Sequence, residues 1–139
     1  MRAFIGDHYT CYPQDGNDLG EKMASALSQV FTAGYEKAVL IGTDCPAMTP
    51  EIIVQSFKGI EQNDAVIGPS PDGGYYLIGF SGKRFTEQVF QYIQWGTDIV
   101  YQQTMQHFQK QDIMPCVLPA LNDIDTVDDL ESYFRVYAE

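Results

Sequence analysis

A short apolar run that stops at a glycine and an aspartate constrains the fold of this chain more than any other feature. Residues 38–41 are four apolar residues in a row with no polar face, which is typical of a short, buried strand. Gly42 permits close approach of a backbone or ligand, and Pro46 withholds an N–H group, so the strand ends here. Asp44 therefore lies at the carboxyl end of a strand, where open α/β sheets bind ligands.

The residues around this strand predict a βαβ unit. Asp18 is a good helix N-cap and Gly34 a good helix stop, with apolar residues on one helical face between them. Thr49 and Pro50 begin a second helix, and a second apolar strand follows at residues 65–67. A strand, a helix and a strand within about thirty residues match a βαβ crossover with parallel strands.

The rest of the chain extends this α/β pattern without repeats or linkers, so we expect one domain over residues 1–139. The loop before the next strand is short enough to allow an antiparallel return. Pro115 places the last strand near a sheet edge or at a bulge. The further predicted elements begin with a strand at residues 75–80 and a helix at 84–92. A second helix follows from Thr97 or Asp98 to Lys110, then a strand at 113–118 and a terminal helix from Thr126 onward.

Composition excludes several classes of function. Nineteen acidic and eight basic residues give a formal charge of -11, which would repel nucleic acid and anionic membrane surfaces. No signal peptide or apolar run of membrane-spanning length is present. The three cysteines show no CxxC pairing, which is typical of reduced thiols in the cytosol. We therefore expect a cytoplasmic protein that binds neither nucleic acid nor membranes.

Acidic loops follow three of the predicted strands, and they are the best candidates for chemistry. They contain Asp44, Asp72, and Asp123 with Asp125. If the strands are parallel, these carboxylates meet at one sheet edge, where they repel one another unless a cation bridges them. Oxygen ligands suit Mg²⁺ or Mn²⁺. Helix capping is an alternative explanation for Asp44 and for Asp125.

The Asp72 loop contains a second signal. Gly73 and Gly74 are able to present backbone N–H groups to a hydroxyl or phosphate oxygen, although Asp-Gly-Gly is also a common turn. Tyr75 and Trp95 are aromatic candidates for stacking on a sugar or base, although such residues more often pack in a core.

Several segments together resemble the small GT-A-type nucleotide-diphospho-sugar transferase-like family of bacteria and archaea, some members of which are linked to arsenosugar biosynthesis. No single segment is specific, but they run in family order. They are residues 14–23, 41–46 and 64–79, Trp95 with Thr104, and residues 123–126 with Asp129 and Leu130.

The resemblance implies a three-layer α/β/α sandwich with a mostly parallel sheet. It also implies metal-dependent transfer of a sugar from a nucleotide-diphospho-sugar donor to a small-molecule acceptor. Asp44 matches the strand-end aspartate that faces the metal and diphosphate, with Asp125 and then Asp123 as further metal ligands, and Asp72 as the catalytic residue. The expected substrate-binding residues are Thr43, Gly73, Gly74, Tyr75 and Trp95.

One departure from the family pattern leaves alternatives open. Family members begin with a strand and a basic, glycine-rich nucleotide-binding loop, and nothing like it precedes Gln14. The chain thus matches the C-terminal two thirds of the fold, and no Lys or Arg lies in its acidic loops. A nucleotidyltransferase of the same fold and a non-catalytic remnant are the alternatives. In each case we expect a homodimer or a partner chain to cover the incomplete side.

Overall fold

The computed structural model of the protein describes residues 10–122 together with Glu131 and Phe134. These residues form a mixed α/β fold. The predicted terminal helix, Asp123 and Asp125 lie outside them, apart from Glu131 and Phe134, which are both helical. The elements in chain order are α1 (Leu19–Thr32), β1 (Lys37–Ile41), α2 (Pro50–Gln62), β2 (Ala65–Pro69), β3 (Tyr75–Ser81), a 3₁₀ turn (Glu87–Phe90), α3 (Val100–Lys110) and β4 (Pro115–Val117).

The four strands form one sheet in the order β1-β3-β2-β4. β3 runs antiparallel to both β1 and β2, whereas β2 and β4 are parallel. The prediction of a mostly parallel sheet is therefore not confirmed, because the turn from Ser70 to Gly74 reverses the chain directly after β2. β1, β2 and β4 nevertheless point in the same direction, so their carboxyl ends share one edge. The full three-layer arrangement stays a prediction.

The starts of α1 and α2 lie where the sequence predicts them. The Asp18 carboxylate accepts a hydrogen bond from the Glu21 N–H at 2.8 Å, and the Glu21 carboxylate accepts one from the Asn17 N–H at 2.7 Å. The first bond satisfies a free N–H group in the first turn of the helix, and the second holds the residue before the N-cap against that turn. Thr49 occupies the N-cap position of α2 but makes no side-chain capping bond.

Phe80 at the end of β3 is the centre of the aromatic core. It is fully buried, and its ring contacts the rings of Phe85, Phe90 and Phe108. The helix predicted at residues 84–92 is wrong, since only the 3₁₀ turn forms there. Residues five apart point about 140° apart on an α-helix, so Phe85 and Phe90 could not both reach Phe80 from one.

The start of α3 also differs from the prediction of a Thr97 or Asp98 cap. The N-cap residue is Ile99, which makes no side-chain capping bond, and the Thr97 hydroxyl instead donates to the Gln94 carbonyl. The Gly73 carbonyl accepts the Tyr101 N–H at 2.8 Å, so a tertiary contact satisfies the first turn of the helix. Pro115 lies in an edge strand, as predicted. In the described part of the chain, no helix has the length and apolar character needed to cross a membrane.

Candidate functional site

The loops after β1, β2 and β4 meet at the shared edge of the sheet. The Gly42 N–H donates to the Tyr76 carbonyl at 2.8 Å, which holds the β1 loop against β3. The Leu121 N–H donates to the Pro69 carbonyl at 3.2 Å, which joins the segment after β4 to the end of β2. The Cys45 thiol lies 3.5 Å from the Asn122 carbonyl. These three loops therefore lie together at the predicted edge of the sheet, as far as Asn122.

The Asp72 loop is held closed by its own hydrogen bonds. The Gly73 N–H donates to the Ser70 carbonyl at 3.2 Å, and the Gly74 N–H donates to Asp72 Oδ1 at 3.0 Å. The prediction that these two N–H groups face a ligand is therefore wrong for this conformation. The bond to Gly74 instead orients the Asp72 carboxylate, whose other oxygen takes no hydrogen bond from any described residue.

Gly73 packs the loop against the start of α3. Its φ is +90°, and a Cβ added there would overlap the Asp98 carbonyl. Only glycine fits this position without strain. The contact fixes the Asp72 loop relative to Asp98, and both aspartates are among the residues that line one pocket.

That pocket, which we call the Trp95 pocket, has a volume of about 370 Å³. It brings together four of the residues predicted from the sequence, which are Asp72, Gly74, Tyr75 and Trp95. The Tyr75 and Trp95 rings meet edge to face, with 6.5 Å between their centroids. The remaining lining residues are Leu19, Ser70, Gly96, Thr97, Asp98 and Val100.

Three buried polar atoms of the residues that line the Trp95 pocket lack a hydrogen-bond partner among the described residues. They are Ser70 Oγ, the Tyr75 phenol oxygen and Trp95 Nε1. Burial raises the pKa of the Tyr75 phenol. The nearby Thr104 hydroxyl opposes that rise in the pKa of Tyr75. Thr104 donates its own hydrogen bond to the Val100 carbonyl. Unpaired buried polar groups are uncommon, and they are typical of sites that receive a ligand or water.

A second cavity of about 420 Å³, the Asp44 cavity, adjoins the Trp95 pocket at Leu19 and Tyr75. It is lined by the predicted residues Thr43 and Asp44. Asp44 is exposed. Its Oδ1 lies close to Gly42, so that a Cβ added to Gly42 would be 2.7 Å from this oxygen. Gly42 therefore leaves room for the carboxylate at the mouth of the cavity. Of the predicted binding residues, Gly73 lines neither cavity.

Lys22 is a site residue that the sequence analysis missed. It projects from the first turns of α1 and lines the Asp44 cavity, and it forms no salt bridge with any described residue. Lys22 lies on α1, outside the acidic loops, which contain no Lys or Arg. Its position within the family-like segment 14–23 was the available signal.

The described residues contain no cluster of three His, Cys, Asp or Glu side chains able to hold a metal ion. Asp123 and Asp125, the other predicted ligands, lie outside them. Mg²⁺ is often held by one or two carboxylates together with substrate phosphates, so the single carboxylate of Asp44 fits such a shared site. It does not form a closed metal centre by itself.

Cavity size alone does not identify the site. A larger cavity of about 1010 Å³ lies between α1 and the 3₁₀ turn, but none of the described site residues lines it. The Asp44 cavity and the Trp95 pocket are smaller, but their lining includes Asp44, Asp72 and Lys22. It also includes the three residues with unpaired buried polar atoms.

Two comparisons with known proteins found similar proteins. The profile of a family described as "Uncharacterized protein conserved in bacteria (DUF2064)" matches residues 1–97. A crystal structure at 1.90 Å of a "putative nucleotide-diphospho-sugar transferase" from Desulfovibrio desulfuricans G20 superposes with a TM-score of 0.93 at 39% sequence identity. The match covers 97% of this chain and 58% of the other, so this chain spans somewhat over half of that protein's length. No curated protein matches the chain.

Proposed function

The chain belongs to the bacterial family DUF2064, and from its similarity to the structure named as a nucleotide-diphospho-sugar transferase we propose that it is a GT-A-type transferase acting on a nucleotide-diphospho-sugar. The observation that carries the proposal is the pairing of two adjoining cavities at the carboxyl edge of the sheet. One contains an unpaired carboxylate and an unpaired lysine, as a diphosphate with its cation requires. The other is lined by aromatic and hydroxyl groups, as sugar binding requires.

In this proposal, the donor diphosphate lies in the Asp44 cavity. Asp44, with Asp125 and Asp123, would hold Mg²⁺ or Mn²⁺, and a cation bound there would supply positive charge for the leaving diphosphate. Lys22 approaches the phosphates from α1, where an ammonium group stabilises the same negative charge. Thr43 lines this cavity beside the carboxylate and is placed to bond a phosphate or ribose oxygen.

The acceptor reacts beside the Asp72 loop. The acceptor hydroxyl oxygen forms a bond to the anomeric carbon while the bond from that carbon to the diphosphate breaks, and the diphosphate leaves with the electron pair. Asp72 takes the hydroxyl proton on the carboxylate oxygen that Gly74 does not occupy. The Gly73 contact with Asp98 holds this carboxylate in place.

A thermal-shift titration with Mn²⁺ and nucleotide sugars tests the proposal. Ligand binding to the native state stabilises the protein, by about 2.7 kcal/mol when the ligand concentration is 100 times Kd, and so raises the melting temperature. We expect a shift of several degrees that needs both Mn²⁺ and one class of nucleotide. Asp44→Ala removes the metal dependence, and Lys22→Ala weakens nucleotide binding about tenfold or more.

Glu36→Ala is the matched control because Glu36 is an exposed carboxylate at the opposite end of β1. This variant keeps the full shift. A protein that shows no shift with any nucleotide, with or without metal, contradicts the proposal and favours the non-catalytic alternative. Release of pyrophosphate from a nucleoside triphosphate in the presence of a sugar phosphate would instead identify a nucleotidyltransferase.

A further inference from the structure

We propose that the Trp95 pocket binds an uncharged, hydroxyl-rich sugar ring and rejects sugars that carry a carboxylate or phosphate. This inference rests on the proposed function and adds the class of sugar that the transferase takes. It follows from the charge, the polar atoms and the size of the pocket.

The charge of the pocket wall excludes anionic sugars. Asp72 and Asp98 both line the pocket, and none of the described residues that line it is a Lys or Arg. The nearest cavity with a cation is the Asp44 cavity, where Lys22 lies. A carboxylate or phosphate placed between Asp72 and Asp98 would meet two like charges with no compensating group, which costs binding free energy.

The polar atoms of the wall suit hydroxyl groups. Asp98, an exposed residue whose carboxylate accepts hydrogen bonds, lines the pocket, and each sugar hydroxyl can both donate and accept a hydrogen bond. Ser70 is only 5% exposed, and its Oγ is unpaired. The Tyr75 phenol and Trp95 Nε1 are also unpaired among the described residues. Because neighbouring atoms cover all three polar atoms, a sugar that bonds to them must displace those neighbours.

The shape of the pocket suits a single ring. Its volume of about 370 Å³ lies at the small end of the range for ligand sites, about 300–1,000 Å³. The Tyr75 and Trp95 rings provide an apolar wall of the kind on which the C–H face of a sugar packs. The remainder of a nucleotide sugar would extend past Tyr75 into the Asp44 cavity.

Trp95 is the sole tryptophan of the sequence, so its indole N–H signal in a ¹H–¹⁵N spectrum reports on this pocket directly. We would titrate the 139-residue chain with three ligands that share a nucleotide. These are UDP, UDP-glucose and UDP-glucuronate, with GDP, GDP-mannose and GDP-glucose as a second set. Calorimetry in the presence of Mn²⁺ measures the affinities, and NMR in the presence of Mg²⁺ follows the indole signal. Methyl glucoside and methyl glucuronoside at millimolar concentration test the pocket without any nucleotide.

We expect the neutral nucleotide sugar to bind about tenfold more tightly than its nucleoside diphosphate and to shift the indole signal. The glucuronate should bind no more tightly than the diphosphate. Of the free glycosides, only methyl glucoside should shift the signal. A neutral sugar that adds no affinity and no indole shift, or a glucuronate that binds as well as glucose, overturns the inference.

Two variants separate recognition from folding. Ser70→Ala removes an unpaired hydroxyl, so the fold should remain stable while the tenfold gain from the neutral sugar falls. Asp98→Asn removes one of the two charges and should raise glucuronate affinity severalfold. Glu36→Gln, which removes a charge far from the pocket, should change neither.

The outcomes distinguish this inference from the proposed function. Nucleotide binding without any indole shift from the sugar retains the transferase proposal and rejects the sugar pocket. An indole shift with methyl glucoside but no nucleotide binding retains the pocket and rejects the nucleotide-sugar donor. If no ligand binds and none shifts the indole signal, both the transferase proposal and the sugar pocket are rejected.

Discussion

At the scale of single residues, Gly73 determines whether the candidate site can form. It combines a positive φ with a contact that leaves no space for a side chain, and its carbonyl accepts the Tyr101 N–H of α3. The residue therefore joins the loop that carries Asp72 to the helix start that carries Asp98. Its role is structural, since its own N–H is used within the loop.

We predict that Gly73→Ala destabilises the protein far more than Gly34→Ala. Both glycines have nearly the same φ, +90° and +95°, but a Cβ on Gly34 would meet no atom within 4 Å. Gly34→Ala should therefore cost only the conformational strain, about 1–2 kcal/mol. Gly73→Ala adds about 1–3 kcal/mol for the overlap with Asp98. Urea unfolding measures both, and equal losses would show that the Asp98 contact contributes nothing.

The residues of the candidate site differ in how visible they are from the sequence. Asp44 and Asp72 stand out because each follows a buried strand and a break in the chain. Trp95 was a candidate as an aromatic residue able to stack on a sugar and through the family resemblance, but its 20-residue distance from Tyr75 carries no periodic signal that places the two together. Lys22 lies on an ordinary amphipathic helix, and only the packing of α1 over the sheet edge shows that it lines a cavity.

At the scale of elements, the two helices with predicted N-caps differ in how their first turns are satisfied. Asp18 caps α1 with a side-chain bond of 2.8 Å, whereas Thr49 makes no such bond to α2. The backbone N–H of Glu51, and then the Thr49 hydroxyl, lower the pKa of the Glu51 carboxyl. Thr49 thus interacts with a side chain rather than with the helix backbone.

Asp18→Ala should lower the free energy of unfolding by about 1 kcal/mol, the usual loss for an N-cap. Thr49→Ala should lower it by less than about 0.5 kcal/mol, because no capping bond is lost. Chemical denaturation of the two variants beside the wild type checks the ranking. If Thr49→Ala is the more damaging change, the capping bonds do not determine the stability of these helices.

Local signals predicted elements well where residues near in sequence decide the structure. The helix beginning at Asp18 and the strand before Gly42 are both found within a residue or so of their predicted bounds. The failures fall where distant residues decide. Phe85 and Phe90 do not share one α-helix because both pack on Phe80, and the α3 start is satisfied by the Gly73 carbonyl.

At the scale of the whole molecule, the topology combines a predictable part with an unpredictable one. The right order of strands and helices follows from the sequence pattern, and β1, β2 and β4 do share a direction. The position of β3 between β1 and β2 does not follow, because pairing partners are set by the packing of entire strands. The convergence of the loops survives this difference, since β3 enters the sheet at the same edge.

Tyr76 links these parts of the molecule, and it makes stability depend on alkaline pH. Its side chain is 3% exposed, and its hydroxyl donates to the Pro119 carbonyl at 2.9 Å, which joins β3 to the segment after β4. Burial, and then the neighbouring Cys45, raise the pKa of Tyr76 to about 12 from its ordinary value of 10.0. The folded state therefore holds this proton more tightly than the unfolded chain does.

The contribution of Tyr76 to stability is complete below pH 10 and is lost as the pH rises from 10 towards 12. We predict that Tyr76→Phe loses about 1 kcal/mol at pH 8, where only the hydrogen bond to Pro119 is removed. The variant should then decline less steeply than the wild type between pH 9.5 and about 11.5. Urea unfolding across this range measures both slopes. Tyr35→Phe, which changes an exposed phenol, should keep the wild-type slope. Parallel slopes for Tyr76→Phe and the wild type would show that another group controls alkaline unfolding.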